Sequence, residues 1–441
     1  MPKIVVVDGN DVPSPEDSAM LQALYSRSAA SVNEHLEKVR RVGSGRFMEN
    51  YVLGFGHKSI ADCGTTTIFV EGVSQLATKA IQDSALYSGQ ETSSRFIDFA
   101  AQPLVDPVGT ADSARILARW MEFYREAQPD VIAHVRGMYP RQGGEDDKVY
   151  DKAVRARAFD VLRGFLPAAV TTQLSWHTNL RQAADRLAVL RNHPLDEVRN
   201  LAREIEGVLR ARYPHSFAAE HRQEQEQYRR FAGGWAYHDV EEAAKESIDL
   251  APRVACGWGL SREGLAPYRL LLDERPPRAE LPYWMNDLGT VTFSFLLDYG
   301  SFRDLQRHRS GVRRMPLLGR QHGFHPWYVA QLPASVLSRA QELIKEQVEA
   351  VAHLGAAPEV EQYYLPFGIL VACRETYGLP ALVYICELRS TKFVHPTLRA
   401  VVRKMAHYTK DVLGVPVHAS DDPDDFDVRR GKQDISVREG L

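Results

Sequence analysis

The chain has 441 residues, 44% of them hydrophobic and 25% charged, with a formal net charge of -3. That length suits two folded domains, and the charge excludes the basic excess that general binding to nucleic acid or an anionic membrane surface needs. Charge interrupts every apolar run well before the ~18 residues of a membrane helix, and the four cysteines (Cys63, Cys256, Cys373 and Cys386) form no CxxC pair, so no zinc ribbon, other metal site or disulfide framework is expected and a reducing cytoplasm fits.

The N-terminal KIVVV run reads as a short strand, too short for a signal-peptide core. Gly43–Arg46 (GSGR) reads as a plain turn, and no glycine-rich phosphate loop of a standard kind is present. From Asp62 the chain reads DCGTTTIFV, and from Asp287 it reads DLGTVTFSF. Both segments are rich in β-branched and aromatic residues and predict strands. A helix-like stretch follows each, over 72–84 and 300–309.

A long helix is predicted over 113–139, as an insertion confined to the first half, followed by the polar loop RQGGEDDK. Leu166-Pro167 then matches Leu365-Pro366, and a helix is expected from each to Leu190-Arg191 and Leu388-Arg389. Further helices are expected over 195–213 and 396–413. Four matches in the same order predict a duplication. The expected organisation is a first domain over 1–217, a helical connector over 218–233, a second and divergent domain over 234–417, and a charged tail over 418–441 that reads as disordered or as a partner-binding arm.

Two runs concentrate chemistry. Arg307-His308-Arg309 ends a predicted helix, where guanidiniums can clamp a phosphate or a carbonyl-rich ring. The same triplet is also what a solvated helix end would carry to complement its dipole. Ser88–Phe96 (SGQETSSRF) offers hydroxyls, backbone N–H groups and a guanidinium to an anion, or else is an ordinary polar loop.

Together these runs resemble the flavin-dependent thymidylate synthases, whose continuous signature is R-H-R-x-x-S-x-N-E-x-S-x-R-Y. Ser88, Glu91, Ser93 and Arg95 fall on its S, E, S and R, while Gln90 and Phe96 replace Asn and Tyr, and Asp83-Ser84-Ala85 stand at R-H-R. The second half keeps R-H-R and loses the remainder over 310–320. Gly56-His57-Lys58-Ser59 resembles the family's G-H-E-[ST] turn, with Lys58 replacing the acid. Arg163 matches its phosphate-holding arginine, Asn179-Leu180-Arg181 its flavin-contacting N-x-R, and Arg191 and Arg389 its pyrimidine-reading Leu-Arg. At the second N-x-R stand Gly378 and Pro380.

The resemblance implies an α+β fold of two tandem synthase-like domains, each a mixed sheet with long helices. It implies reductive C5-methylation of deoxyuridine monophosphate with FAD, NADPH and methylenetetrahydrofolate. It assigns Arg389, Ser93 and Arg191 to catalysis. The cofactor contacts would be His57, Glu91, Asn179, Arg181, Arg307, His308 and Arg309, and the substrate contacts Ser93, Arg95, Arg163, Arg307 and Arg389. Because each half keeps what the other lacks, the expected site is composite, in a homodimer that mimics a tetramer. The reciprocal site, with Asp83 where a cation is needed, is expected to be dead. Two other readings stay open at this level: flavin-dependent C5 modification of another pyrimidine nucleotide, and a nucleotide-binding paralogue without activity.

Overall fold

The computed structural model describes residues 5, 7–12, 14–50, 58–95, 97–217, 221–238, 253–256 and 260–420. His57, most of the KIVVV run and the charged tail from 421 onward lie outside the described residues. In chain order the principal elements are α1 (Pro15–Tyr25), α2 (Val32–Val42), β1 (Thr65–Ser74), α3 (Gln75–Gln82), α4 (Ala111–Met138), α5 (Asp147–Leu162), β2 (Thr171–Asn179), α6 (Leu180–Leu190), α7 (Asp196–Arg212) and α8 (Gln223–Gly233). They continue with β3 (Arg253–Cys256), β4 (Thr290–Asp298), α9 (Tyr299–Leu305), β5 (Val312–Arg313), α10 (Ala334–His353), β6 (Leu370–Gly378), α11 (Leu379–Arg389) and α12 (Pro396–Asp411). The fold is mixed α and β, with long helices and small sheets, and no helix among the described residues is long and apolar enough to cross a membrane.

The chain gathers into two compact units. The first comprises 1–71, 80–91 and 173–236, and the second 72–79, 92–172 and 237–441. The order strand, helix, long helix, strand, helix, helix occurs twice, as β1-α3-α4-β2-α6-α7 and as β4-α9-α10-β6-α11-α12.

Two expectations are corrected. A strand, not a helix, follows each Leu-Pro: Thr171–Asn179 and Leu370–Gly378 are β-branched and aromatic with partial alternation of burial, which suits a pleated, half-covered surface. Each helix begins only afterwards, where Asn179 caps α6 through its side chain and Pro380 occupies the first turn of α11. The long helix α4 is also no insertion of the first half, since α10 is its counterpart. Before Leu-Pro the first half has the 16-residue α5, where the second half has a short helix over Pro358–Glu361.

In the second unit, β4 and β6 pair antiparallel from Thr290 opposite Gly378 to Asp298 opposite Leu370, with β3 on the outer edge of β4 and β5 on that of β6. Helix α4 buries Trp120, Tyr124 and Val131 along one face, and the Trp120 indole donates to the Tyr364 carbonyl at 3.0 Å. Helix α10 lies against it, with the Arg339 guanidinium 5.5 Å from the centre of the Phe123 ring.

The two Leu-Pro segments bond to each other. Ala168 N–H donates to Leu365 O at 2.9 Å, and Phe367 N–H to Leu166 O at 2.9 Å. Ala169 N–H donates to Tyr363 O at 3.0 Å, and Gly368 N–H to Gly164 O at 2.8 Å. Exchanging the two segments turns each bond into its mate. This is the self-complementary pattern of a two-fold contact, made here between two stretches of one chain. Close approach requires Gly368, where an added Cβ would lie 2.4 Å from the Phe324 ring.

Candidate functional site

Helix α9 ends at Leu305 and leads into the retained R-H-R, which lies in the turn after it. Asp298 caps the helix, accepting from Ser301 N–H at 2.9 Å, so its last turn presents Asp304 and, three residues on, Arg307. The carbonyls of Gln306 and His308 at the helix end accept from the Arg313 guanidinium. Arg313 is fixed in turn by buried Glu375, its register partner across β5 and β6, at 3.0 Å. The run after R-H-R has lost the signature but has gained a clamp on the R-H-R turn.

Around Asp304 the second unit gathers side chains that lie far apart in sequence. Its carboxylate oxygens lie 3.6 Å from an Arg163 nitrogen and 3.8 Å from an Arg307 nitrogen. Arg389 donates through Nη2 to the Asp304 carbonyl at 3.5 Å and through Nε to His308 Nε2 at 2.6 Å. Arg95, from the first signature run, grips Asp160 through Nε at 2.5 Å and Nη2 at 3.1 Å, and donates to the Phe393 carbonyl at 3.2 Å. Ser93 Oγ accepts from the Arg95 N–H at 3.3 Å. Arg163 is 1% exposed and donates to Ser301 Oγ at 3.1 Å, which continues to Thr397 and His395.

Charge in this cluster is lopsided. Burial alone would raise the Asp304 pKa, but Arg307, Arg163, Arg95 and Arg389 outweigh it and hold the carboxylate ionised. Burial lowers the Arg389 pKa, with Arg307 and Arg95 adding to that and Asp304 opposing it. Four guanidiniums thus face three carboxylates, Asp304, Asp298 and Asp160. Arg309 is exposed and has no partner among the described residues. Positive charge in excess, set against forked donors, fits an anionic, carbonyl-rich ligand, which describes both a nucleotide and FAD.

Because Arg389 can only donate, His308 Nε2 must hold a lone pair, and its proton then sits on Nδ1. Burial first, then Arg389 and Arg313, pushes the His308 pKa down to about 3, against about 6.5 in an unfolded chain. Here the folded state resists a proton that the unfolded chain takes up. The stability at stake is therefore intact above about pH 6.5 and lost as pH falls toward 3, by about 1.4 kcal/mol per unit. His308→Gln is expected to flatten the acid side of the stability profile, read by urea unfolding at stepped pH. An unchanged slope would mean that the imidazole is solvated.

The sequence-assigned residues thus fall into two sets. Ser93, Arg95, Arg163, Arg307, His308, Arg309 and Arg389 lie in the second unit, where Arg95, Arg163, Arg307, His308 and Arg389 cluster. Glu91, Asn179, Arg181 and Arg191 lie in the first unit. There Glu91 accepts from Gln82 at 3.0 Å, Asn179 caps α6, Arg181 pairs with Asp62 at 2.8 Å, and Arg191 holds Glu206 at 2.6 Å and Glu226 at 3.2 Å. Arg163 and Arg191 are thus engaged with their own chain. Asp160, Asp304 and Arg313 were missed. A carboxylate one turn before R-H-R was the one local signal available.

The strand bridges also fix which residues correspond. Ser88 bridges His177, and Val312 pairs with Thr376, at equivalent strand positions counted from Leu-Pro. Val312 therefore stands at the signature serine, and Asp83 at the position of Arg307. Asp83 favours the charged form of Arg186, against the burial that lowers its pKa.

The thymidylate synthase complementing protein family matches residues 10–215. Over those residues the chain is similar to this family. The family domain contains the Ser93–Arg95 loop and Arg163, whereas R-H-R and Arg389 lie beyond the match. Similar proteins extend across both halves. A UPF0159 protein of Chlamydia pneumoniae is 26% identical over 413 residues, 80% of this chain and 76% of its own. One of Chlamydia muridarum is 24% identical over 416 residues, 82% and 77% respectively. One of Thermoplasma acidophilum is 24% identical over 468 residues, 90% and 93%.

Proposed function

We propose that the protein is a flavin-dependent thymidylate synthase that methylates C5 of deoxyuridine monophosphate to give thymidine monophosphate, using FAD, NADPH and methylenetetrahydrofolate. One observation carries this reading. Arg95, from the half that lost R-H-R, lies in one cluster with Arg307, His308 and Arg389, from the half that lost the serine-arginine loop. Arg95 from one retained fragment and Arg307 from the other both act on Asp304, which supports a composite site.

FAD, when bound, supplies the hydride and carbon-carrying chemistry that side chains lack. The chain's own part is to bind and polarise. Arg307 and exposed Arg309 hold anionic groups. Arg95 commits three of its five N–H donors to Asp160 and Phe393, which leaves the others for the nucleotide phosphate beside Ser93. Buried Arg163 adds charge from behind. Arg389 withdraws charge from the pyrimidine carbonyls, and neutral His308 holds its guanidinium in place.

By the same resemblance His57, Glu91, Asn179 and Arg181 are assigned to the cofactor and Arg191 to catalysis. The tandem domains are taken as 1–217 and 234–417, in a homodimer. The test is direct. Purified protein should show a bound-flavin absorbance spectrum and convert deoxyuridine monophosphate to thymidine monophosphate with both co-substrates present. Protein that neither retains nor rebinds flavin, and yields no product, would overturn the reading.

A further inference from the structure

Asp304 is an anomaly in a site read as anion-binding. A carboxylate repels a phosphate, and arginines alone would bind one better. Its oxygens are nevertheless accessible, since the side chain keeps 16% of its exposure. They accept no hydrogen bond among the described residues, because the guanidinium nitrogens at 3.6 and 3.8 Å stand beyond bonding distance. An ionised carboxylate has about four acceptor positions, and here they are open to a ligand.

Two donors are close to that acceptor: the half-exposed Arg307 guanidinium, 3.8 Å from the carboxylate, and the Arg389 guanidinium, which reaches the Asp304 carbonyl at 3.5 Å. Together they offer two donors and one acceptor. The complementary edge is acceptor, donor, acceptor, which is an imide: a ring N–H between two carbonyls. Uracil carries that edge, and so does the isoalloxazine ring of a flavin. In the same pose cytosine would turn a ring-nitrogen lone pair toward the carboxylate.

We propose that Asp304 is a specificity residue that accepts the imide N–H of a bound ring while Arg307 and Arg389 donate to the flanking carbonyls. The proposal rests on reading this cluster as the nucleotide and flavin site. A bland alternative, that Asp304 only neutralises its arginine neighbours, makes a different prediction.

The experiment is a cycle between protein and ligand. Wild type and Asp304→Ala are titrated calorimetrically with deoxyuridine monophosphate and its N3-methyl analogue, and with FAD and N3-methyl FAD. In wild type, methylation is expected to weaken one of the two ligands by about 10- to 100-fold, the value of a hydrogen bond to a charged group. Whichever ligand suffers is the one whose ring Asp304 reads. In Asp304→Ala most of that penalty should vanish, because the acceptor is gone and the methyl has room. If the alanine variant does not fold, Asp304→Ser is read the same way. Unimpaired binding of both methyl analogues to wild type, or a penalty undiminished in the variant, overturns the proposal and leaves the functional reading standing. Wild type that binds neither parent ligand overturns both.

Discussion

Arg389→Ala is expected to lower kcat/KM for deoxyuridine monophosphate by about two to three orders of magnitude, the usual cost of removing a donor aimed at developing charge. Arg389 donates to the ring of the R-H-R histidine at 2.6 Å and also reaches back to the Asp304 carbonyl. Its loss removes polarisation of the pyrimidine and releases His308 together. Arg389→Lys should rescue little, since an ammonium offers no planar fork and cannot satisfy both contacts. The fold should persist, because the side chain is only partly buried. Product formation in steady state is the readout, with circular dichroism as the folding control. Near wild-type turnover in the alanine variant would remove Arg389 from the site.

The largest effect on stability is expected at Asp160. Its carboxylate is fully buried and Arg95 is 13% exposed, so the pair is shielded from solvent. Removing one partner of such a pair leaves an uncompensated buried charge, at about 3–5 kcal/mol. Asp160→Ala should therefore lower the thermal midpoint well below that of a surface control such as Glu122→Ala. Arg95→Ala should do nearly the same, although its sequence context suggests an accessible loop residue. The double replacement Arg95→Met with Asp160→Leu should recover most of the lost stability while nucleotide binding stays impaired. A thermal midpoint unmoved by Asp160→Ala would mean that the pair opens to water.

These two cases show what the sequence discloses and what it withholds. R-H-R and Arg95 are legible because the signature fixes residue type and spacing within a few positions of chain, and Arg389 because it completes a Leu-Arg pair like the family's. The strands from Thr65 and Thr290 are legible for a related reason, their runs of β-branched and aromatic residues. Asp160 is not legible. It is one of three acids on helix α5, and only packing reveals that it faces Arg95 across 65 residues of chain. Arg163 is recognisable as an arginine of the family pattern, yet its burial is a tertiary fact. Arg313 lies in a run that reads as degenerate, because a clamp on a helix end is defined by three-dimensional register with Glu375 and not by any local pattern. The strand after each Leu-Pro was obscured by the helical residues that follow it.

The reciprocal bonds between the two Leu-Pro segments have a further consequence. Between separate subunits such a contact would weaken on dilution, and any substitution would strike it twice, once on each side of the axis. Joined in one polypeptide, its two sides meet at an effective concentration set by the connecting chain and independent of the amount of protein. A substitution at Gly164 leaves Gly368 untouched. Each side can then be altered alone, so this contact tolerates differences in sequence between its two sides.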